Sequence, residues 1–493
     1  MNDTPLRKSS FKEIDPKVFY DSNPFVKLVH NQRIVEVPEL TLESGVTLQN
    51  FPIAYKTWGE LNERGDNVLV VCHALTGSSD VADWWAPLLG VDKAFDPSRF
   101  LVVCLNSMGS PYGSFSPLNI NPATNESYGP EFPLCTVRDD VRAHKLVLES
   151  LGVSSIACVI GGSMGGMLAL EWAASFGKDY VRNIVALATS ARHSAWCISW
   201  SEAQRQSIYS DPKYLDGYYS LEEPPTVGLA AARMSALLTY RSRNSFESKF
   251  ARRLPSTVHQ KKSNRKDMPK SSNLHQHNLS IHNDGHVRTI VKERTPSTST
   301  ISVSSDTSSA DSLKSASSVT LSTLSSAGPA KGASNLKPAQ TYFSAQSYLR
   351  YQGEKFVNRF DANCYISITR KMDTHDLARD RIEGEEEVEE VLRALEQPSL
   401  IIGIKSDGLF TYSEQEFLAA NIPDSQLENI DSPEGHDAFL LEFHFINDLI
   451  KKFLMKNAKE LMEAPPRRLW QDYGKGEAMT NSLFGEAEEV TNW

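Results

Sequence analysis

Short runs in which nearly every residue is apolar, many of them β-branched, recur at positions 68–72, 100–105, 156–160 and 184–188, and again much later at 399–404. A strand with one wet face alternates apolar and polar residues. An unbroken run fits a strand covered on both faces, as in a parallel sheet sandwiched between helices. Helix-compatible stretches lie between the runs, notably 137–151 and 166–175, and supply the crossovers that parallel strands need. A final helix over about 439–456 continues the alternation. The pattern predicts an α/β core in two parts, one ending near residue 191 and the other starting near residue 396.

The segment between the two parts changes character midway. Positions 192–251 carry helix-compatible stretches at 201–210 and 227–240, which read as a helical lid inserted over the sheet. Beyond them, 19 of the 30 residues at 297–326 are Ser or Thr, and the preceding stretch 252–294 carries ten Lys or Arg against three acids. So few large side chains cannot offset the entropy of ordering, and 252–337 is predicted to be a disordered surface insertion. Folded character resumes at Tyr342, Phe360 and Tyr365 as the second half of the lid. The acidic run 383–390 reads as a solvated helix face. The expected division is an N-terminal extension 1–40, core 41–191, lid 192–251, insertion 252–337, lid 338–395, core 396–460 and a C-terminal tail 461–493.

At 493 residues the chain exceeds the usual length of one α/β domain, and the insertion accounts for the excess. The hydrophobic share of 40% and charged share of 23% are ordinary for a soluble protein, and no apolar run approaches the roughly 18 residues that span a bilayer. The first twenty residues lack both an apolar signal core and an Arg-rich, acid-free pattern, so a cytoplasmic location is expected. Cys72, Cys104, Cys135, Cys158, Cys197 and Cys364 are widely spaced and several fall in buried runs, which favours reduced core thiols over disulfides. A net charge of -10 offers no general attraction to nucleic acid or to anionic membranes, leaving a small-molecule substrate as the expected partner. His259, His275, His277, His282 and His286 sit at irregular spacing in the basic linker and are not expected to form a metal site.

The chemistry begins where the run 156–160 leads into Gly161-Gly162-Ser163-Met164-Gly165, a G-x-S-x-G motif followed by a helix-forming stretch. That is the form of a nucleophile elbow, in which a tight strand-to-helix turn lifts a serine hydroxyl above the sheet. Glycines two residues to either side avoid collision with the neighbouring helix and strand. The Met164 amide then falls at a helix N-terminus, where it can stabilise an oxyanion. A serine needs a base, and in this fold the acid and the histidine follow it in the order Ser, Asp, His. Asp407 lies just past the strand 399–404, and His436 lies in the loop entering the last helix. His73 precedes the serine and suits a structural or oxyanion-loop role. His30 and His144 also precede the serine, His193 and His375 precede the acid, and His444 falls within the last helix. The loop His73-Ala74-Leu75-Thr76-Gly77 offers the Leu75 amide as second oxyanion donor.

With these motifs in view, the chain resembles the homoserine O-acetyltransferases of fungal type, relatives of the serine O-acyltransferases and deacetylcephalosporin C acetyltransferases. The resemblance rests on 51–59 (FPIAYKTWG), 72–77 (CHALTG), 106–110 (NSMGS), 138–140 (RDD), 161–166 (GGSMGG), 435–437 (GHD) and the C-terminal 484–489 (FGEAEE). It implies an α/β-hydrolase fold with Ser163 as nucleophile, Asp407 as orienting acid and His436 as base. It further implies that Arg233 and Asp437 hold the amino acid, the guanidinium on the α-carboxylate and the carboxylate on the α-ammonium. Tyr240, seven residues beyond Arg233, would support the same pocket. A solvated lid arginine is the bland alternative for Arg233. A homodimer packed through lid helices is also implied.

The expected reaction carries acetyl from acetyl-CoA to L-homoserine by a ping-pong route through an acetyl-serine, a step of methionine biosynthesis, with acetyl-CoA as co-substrate and no metal or bound cofactor. Succinyl-CoA as donor and serine as acceptor stay open. A lipase or esterase would use the same triad but has no use for a zwitterion clamp at Arg233 and Asp437. A noncatalytic scaffold would leave the ordered triad unexplained.

Overall fold

The computed structural model describes residues 9–255, 281–286, 343–382, 387–470 and 473. They fall into two compact units, Met1–Arg253 with Ser344–Trp493, and Leu254–Phe343. Of the second unit only 254–255, 281–286 and 343 are described. Most of the predicted insertion therefore lies outside the described residues, as do His259, His275 and His277, residues 383–386 of the acidic run, and 474–493.

In the first unit each unbroken apolar run is a strand with every residue buried: β4 Val68–Cys72, β5 Leu101–Leu105, β8 Ile156–Gly162, β9 Ile184–Leu187 and β10 Ser399–Ile404. They pair in parallel in the order β5-β4-β8-β9-β10, and β11 (Ser425–Ile430) extends the sheet in parallel beyond β10. At the opposite edge β1 (Lys12–Ile14), β2 (Arg33–Thr41) and β3 (Thr47–Trp58) add antiparallel, with β3 against β5. A separate ribbon pairs β6 (Ile120–Asn121) with β7 (Glu126–Ser127). Residues 9–40, set apart in the sequence as an extension, thus supply β1 and most of β2 to the sheet. Their polar and apolar positions are mixed because one edge of the sheet meets water, so they do not read as buried runs.

The helix Val137–Ser150 opens with a capping box, Thr136 accepting from the Asp139 amide and Asp139 from the Thr136 amide, and buries Val137, Val141, Val147 and Leu148. It packs with Met164–Tyr180 in the largest core cluster, while Trp85, Phe100, Phe439 and Ile450 belong to the second. The lid consists of Ala195–Tyr209, Thr226–Tyr240 and Arg243–Lys249, then Ser344–Phe356, Ala362–Asp373 and Glu387–Arg393. Where the chain returns, Ser344 N–H donates to Arg253 O at 2.8 Å. The last helices are Ala438–Leu441, Phe443–Asn457 and Lys459–Met462. The start of the predicted tail then docks on the core, Arg467 N–H donating to Ser98 O at 2.8 Å and Val91 N–H to Tyr473 O at 3.1 Å. All six cysteines are free and buried. Among the described residues no helix is long and apolar enough to cross a membrane.

Candidate active site

Ser163 stands at the C-terminal end of β8, with parallel neighbours on both sides, and turns directly into the helix Met164–Tyr180. Its backbone has φ 58° and ψ -125°, a conformation that strains any residue with a Cβ by about 1–3 kcal/mol. Bonds on both sides hold it there: Ser163 N–H donates to Leu187 O at 2.9 Å, and Thr189 Oγ1 donates to Ser163 O at 2.8 Å. The flanking glycines are steric requirements. A Cβ on Gly161 would lie 2.1 Å from Gly165 O, and one on Gly165 would lie 2.2 Å from Cys72 O in β4.

Asp407 follows β10 and is buried. Its Oδ1 accepts from the Leu409 amide at 2.8 Å and the Phe410 amide at 3.0 Å, which aims Oδ2 at His436 Nδ1, 2.7 Å away. With the proton on Nδ1, Nε2 keeps its lone pair for use as a base. His436 sits in the turn Gly435–Asp437 between the rings of Phe439 and Phe410, 5.2 and 5.3 Å away. Burial alone would lower its pKa, but the Asp407 carboxylate, by charge and hydrogen bond, and the charge of Asp437 outweigh burial and raise it. Ser163 and His436 line one cavity together with Leu75, Arg233, Tyr240 and Asp437.

Of the two expected oxyanion donors Leu75 lines the cavity, and Met164 directly follows Ser163. Among the described residues neither the Leu75 nor the Met164 amide donates to a protein acceptor, and Met164 begins the elbow helix, whose dipole favours negative charge at that end. His73 is buried beneath this loop, with Nδ1 2.8 Å from Ala74 O and Nε2 accepting from Ser107 N–H at 3.0 Å. Burial lowers its pKa to about 4, so it is a neutral structural histidine.

Arg233 is not solvated: it is 1% exposed, faces the cavity from the lid helix Thr226–Tyr240, and its guanidinium lies 4.8 Å from the Phe356 ring and 5.5 Å from that of Tyr240. Asp437 is buried, and the burial raises its pKa against the opposing charges of Arg241, His436 and Arg233. Arg241, which the sequence reading missed, pairs with Asp437 at 3.2 Å and also with Glu434. No local signal marks it, because its partners lie almost 200 residues further along the chain. The cavity wall includes a second buried histidine, His193, whose Nδ1 is 3.5 Å from Asp373.

Comparisons with known proteins bear on the fold and the family. A family model for the alpha/beta hydrolase fold matches residues 67–283. The chain is 67% identical over 493 residues to the homoserine O-acetyltransferase of Saccharomyces cerevisiae, covering 99% of each chain, and 56% identical to that of Emericella nidulans, covering 96% of each. Among solved structures, a homoserine O-acetyltransferase from Bacillus anthracis superposes with a TM-score of 0.64 at 20% identity, over 86% of this chain and 97% of that one. Esterase E22 gives the same TM-score at 22% identity, over 86% and 99%. At such identities these two structures speak for the fold alone.

Proposed function

The chain belongs to the homoserine O-acetyltransferase family of the α/β-hydrolase fold, and from that premise we propose that it acetylates L-homoserine through a covalent acetyl group on Ser163. The observation that carries the reading is that His436, bonded to Asp407 at 2.7 Å, lines one cavity with Ser163 and Arg233.

In the first half-reaction His436 Nε2 takes the Ser163 proton as Oγ attacks the thioester carbonyl of acetyl-CoA. The oxyanion is held by the Leu75 and Met164 amides; the C–S bond breaks, and His436 returns the proton to the departing thiol. In the second, homoserine takes the place of CoA. Arg233 clamps the α-carboxylate with two parallel N–H donors and Asp437 accepts from the α-ammonium, which directs the hydroxyl at the acetyl carbonyl. His436 takes the hydroxyl proton, the new ester forms, and Ser163 recovers its hydrogen. Water loses to the bound alcohol because the lid excludes it while the clamp raises the acceptor's effective concentration. These steps need no metal or bound cofactor. The reading includes a cytoplasmic enzyme acting as a homodimer through its lid helices, on which Trp196, Val227 and Leu238 are 55%, 46% and 50% exposed.

Brief exposure of the enzyme to acetyl-CoA without acceptor should leave acetyl mass on the peptide holding Ser163, and Ser163→Ala should abolish both the mass and the turnover while folding normally. Intersecting initial-rate lines with no trapped acetyl group would refute the covalent route. Thiol release with acetyl-CoA or succinyl-CoA, crossed with homoserine or serine, separates the substrates.

A further inference from the structure

A buried charge pair outside the catalytic cavity ties the lid to the core. Lys371, on the lid helix Ala362–Asp373, and Asp140, on the core helix Val137–Ser150, both have fully buried side chains and are hydrogen-bonded to each other. Desolvating two charges costs about as much as their attraction returns, so such a pair stabilises little for its own sake. What it fixes can be followed bond by bond. Lys371 Nζ donates to Met108 O at 2.7 Å, and Asp140 Oδ1 accepts from Met108 N–H at 2.9 Å, so both backbone polar groups of Met108 are held. The loop also lies hard against the lid helix: a Cβ on Gly109 would come within 2.8 Å of Ser367 Oγ. One residue back, Ser107 N–H donates to His73 Nε2 at 3.0 Å.

Accepting at Nε2 leaves the single proton of His73 on Nδ1, which donates to Ala74 O at 2.8 Å. Ala74 C=O and Leu75 N–H are two ends of one planar peptide, so a bond that fixes the carbonyl fixes the direction of the amide. We propose that Lys371 and Asp140 are positioning residues for the oxyanion hole, acting through Met108, Ser107 and His73 on the Ala74–Leu75 peptide. The seating of the lid helix then sets the aim of one oxyanion donor, and an unseated lid leaves the acyl-enzyme poorly activated toward water. The proposal rests on the reading of Ser163 as nucleophile and Leu75 as oxyanion donor.

The test compares the wild type with His73→Leu, His73→Asn and the charge-free double variant Lys371→Met with Asp140→Asn. Three quantities are read: the single-turnover acylation rate, calorimetric binding of homoserine, and the affinity for a trifluoromethyl ketone analogue of acetyl-CoA. The ketone forms a tetrahedral oxyanion on the serine and so reports the hole directly. Wild type must first acquire acetyl mass on Ser163 and bind the ketone; failure there would sink the acyl-enzyme reading itself, whatever the variants do. Given that, His73→Leu and the double variant should each slow acylation by about tenfold to a hundredfold and weaken the ketone by the same factor. Homoserine binding should stay within about twofold. His73→Asn, which keeps a donor for Ala74 O, should recover most of the loss. Should the double variant not fold, Lys371→Met alone replaces it, since a buried Asp140 can take up a proton while its other oxygen still fits the Met108 amide; it should weaken the ketone and spare homoserine. Unchanged ketone affinity in folded variants, or equal losses for ketone and homoserine, would overturn the proposal.

Discussion

At Asp437 two demands fall on one carboxylate. It faces the cavity where an α-ammonium would sit, and its charge helps to hold the His436 pKa above the ordinary imidazole value. The base works only when neutral, so a raised pKa moves the acid limb of activity to higher pH. Asp437→Asn removes one of the charges that raise it, and the acid limb of the acylation rate should move to lower pH, while homoserine binding weakens separately. A pH profile of single-turnover thiol release checks this; a limb that stays put would mean that Asp407 alone sets the base. At Arg233 the geometry separates the half-reactions differently. Lysine keeps the charge but loses the two-donor fork, so Arg233→Lys should slow acetyl transfer to homoserine by about tenfold or more and leave acylation nearly unchanged. Equal loss in both would make Arg233 structural. Ser163, Asp407 and His436 were legible in the sequence because each occupies a turn just beyond a strand or before a helix, where local pattern is strong. Arg241 was not legible: its meaning comes wholly from Glu434 and Asp437, and nothing near it in the chain refers to them.

Among elements, the helix Met164–Tyr180 carries the most consequence, since Ser163 caps it and Met164, whose amide is a proposed oxyanion donor, begins it. Its buried Glu171 is bound by Arg138 Nε of the helix Val137–Ser150 at 3.1 Å, by Arg381 and by Ser175 Oγ at 2.7 Å, and Arg138 reaches on to Glu43 at 2.7 Å. Burial would raise the Glu171 pKa, but Arg381 and Arg138 more than offset it and hold the carboxyl below its usual value. A depressed carboxyl contributes stability that is present above its unfolded pKa, about 4.3, and is lost as pH falls through the folded value. Glu171→Gln should therefore cost roughly 3 kcal/mol near neutrality, with a penalty that shrinks below about pH 4. Denaturant melts at both pH values check the sign; a penalty independent of pH would assign the effect to packing. The five buried parallel strands were plain in the sequence because burial on both faces leaves no polar position to confuse the run. β2, β3 and β11 were not, since each mixes buried positions with wetter ones: β2 and β3 carry exposed residues along part of their length, and in the edge strand β11 only Ile430 is fully buried.

For the whole molecule, the question is how a chain of 493 residues makes one active site when a long Ser/Thr-rich segment divides its lid. The flanks answer it within the first compact unit. Arg253 O accepts from Ser344 N–H at 2.8 Å, Phe250 O accepts from Ser344 Oγ at 3.3 Å, and the Phe250 and Tyr348 rings pack with centroids 4.9 Å apart. The lid thus closes on itself across the break, joining the helices Arg243–Lys249 and Ser344–Phe356, and the distance to be bridged is that of a tight turn. Sequence composition made the break visible, but not this closure, which needs two residues 91 positions apart to meet. Replacing residues 256–341 with a short Gly/Ser linker should leave turnover within a few-fold of the full chain, because Arg233, Tyr240 and the triad all lie on the retained unit. Stability should rise by about 2 kcal/mol at most, since the shortening spans about four halvings of loop length at about 0.6 kcal/mol each. Steady-state activity and the thermal midpoint of the shortened enzyme decide the matter. A form that melts cooperatively near the full-length midpoint yet has lost most of its activity would mean that the removed segment contributes to the lid's working position.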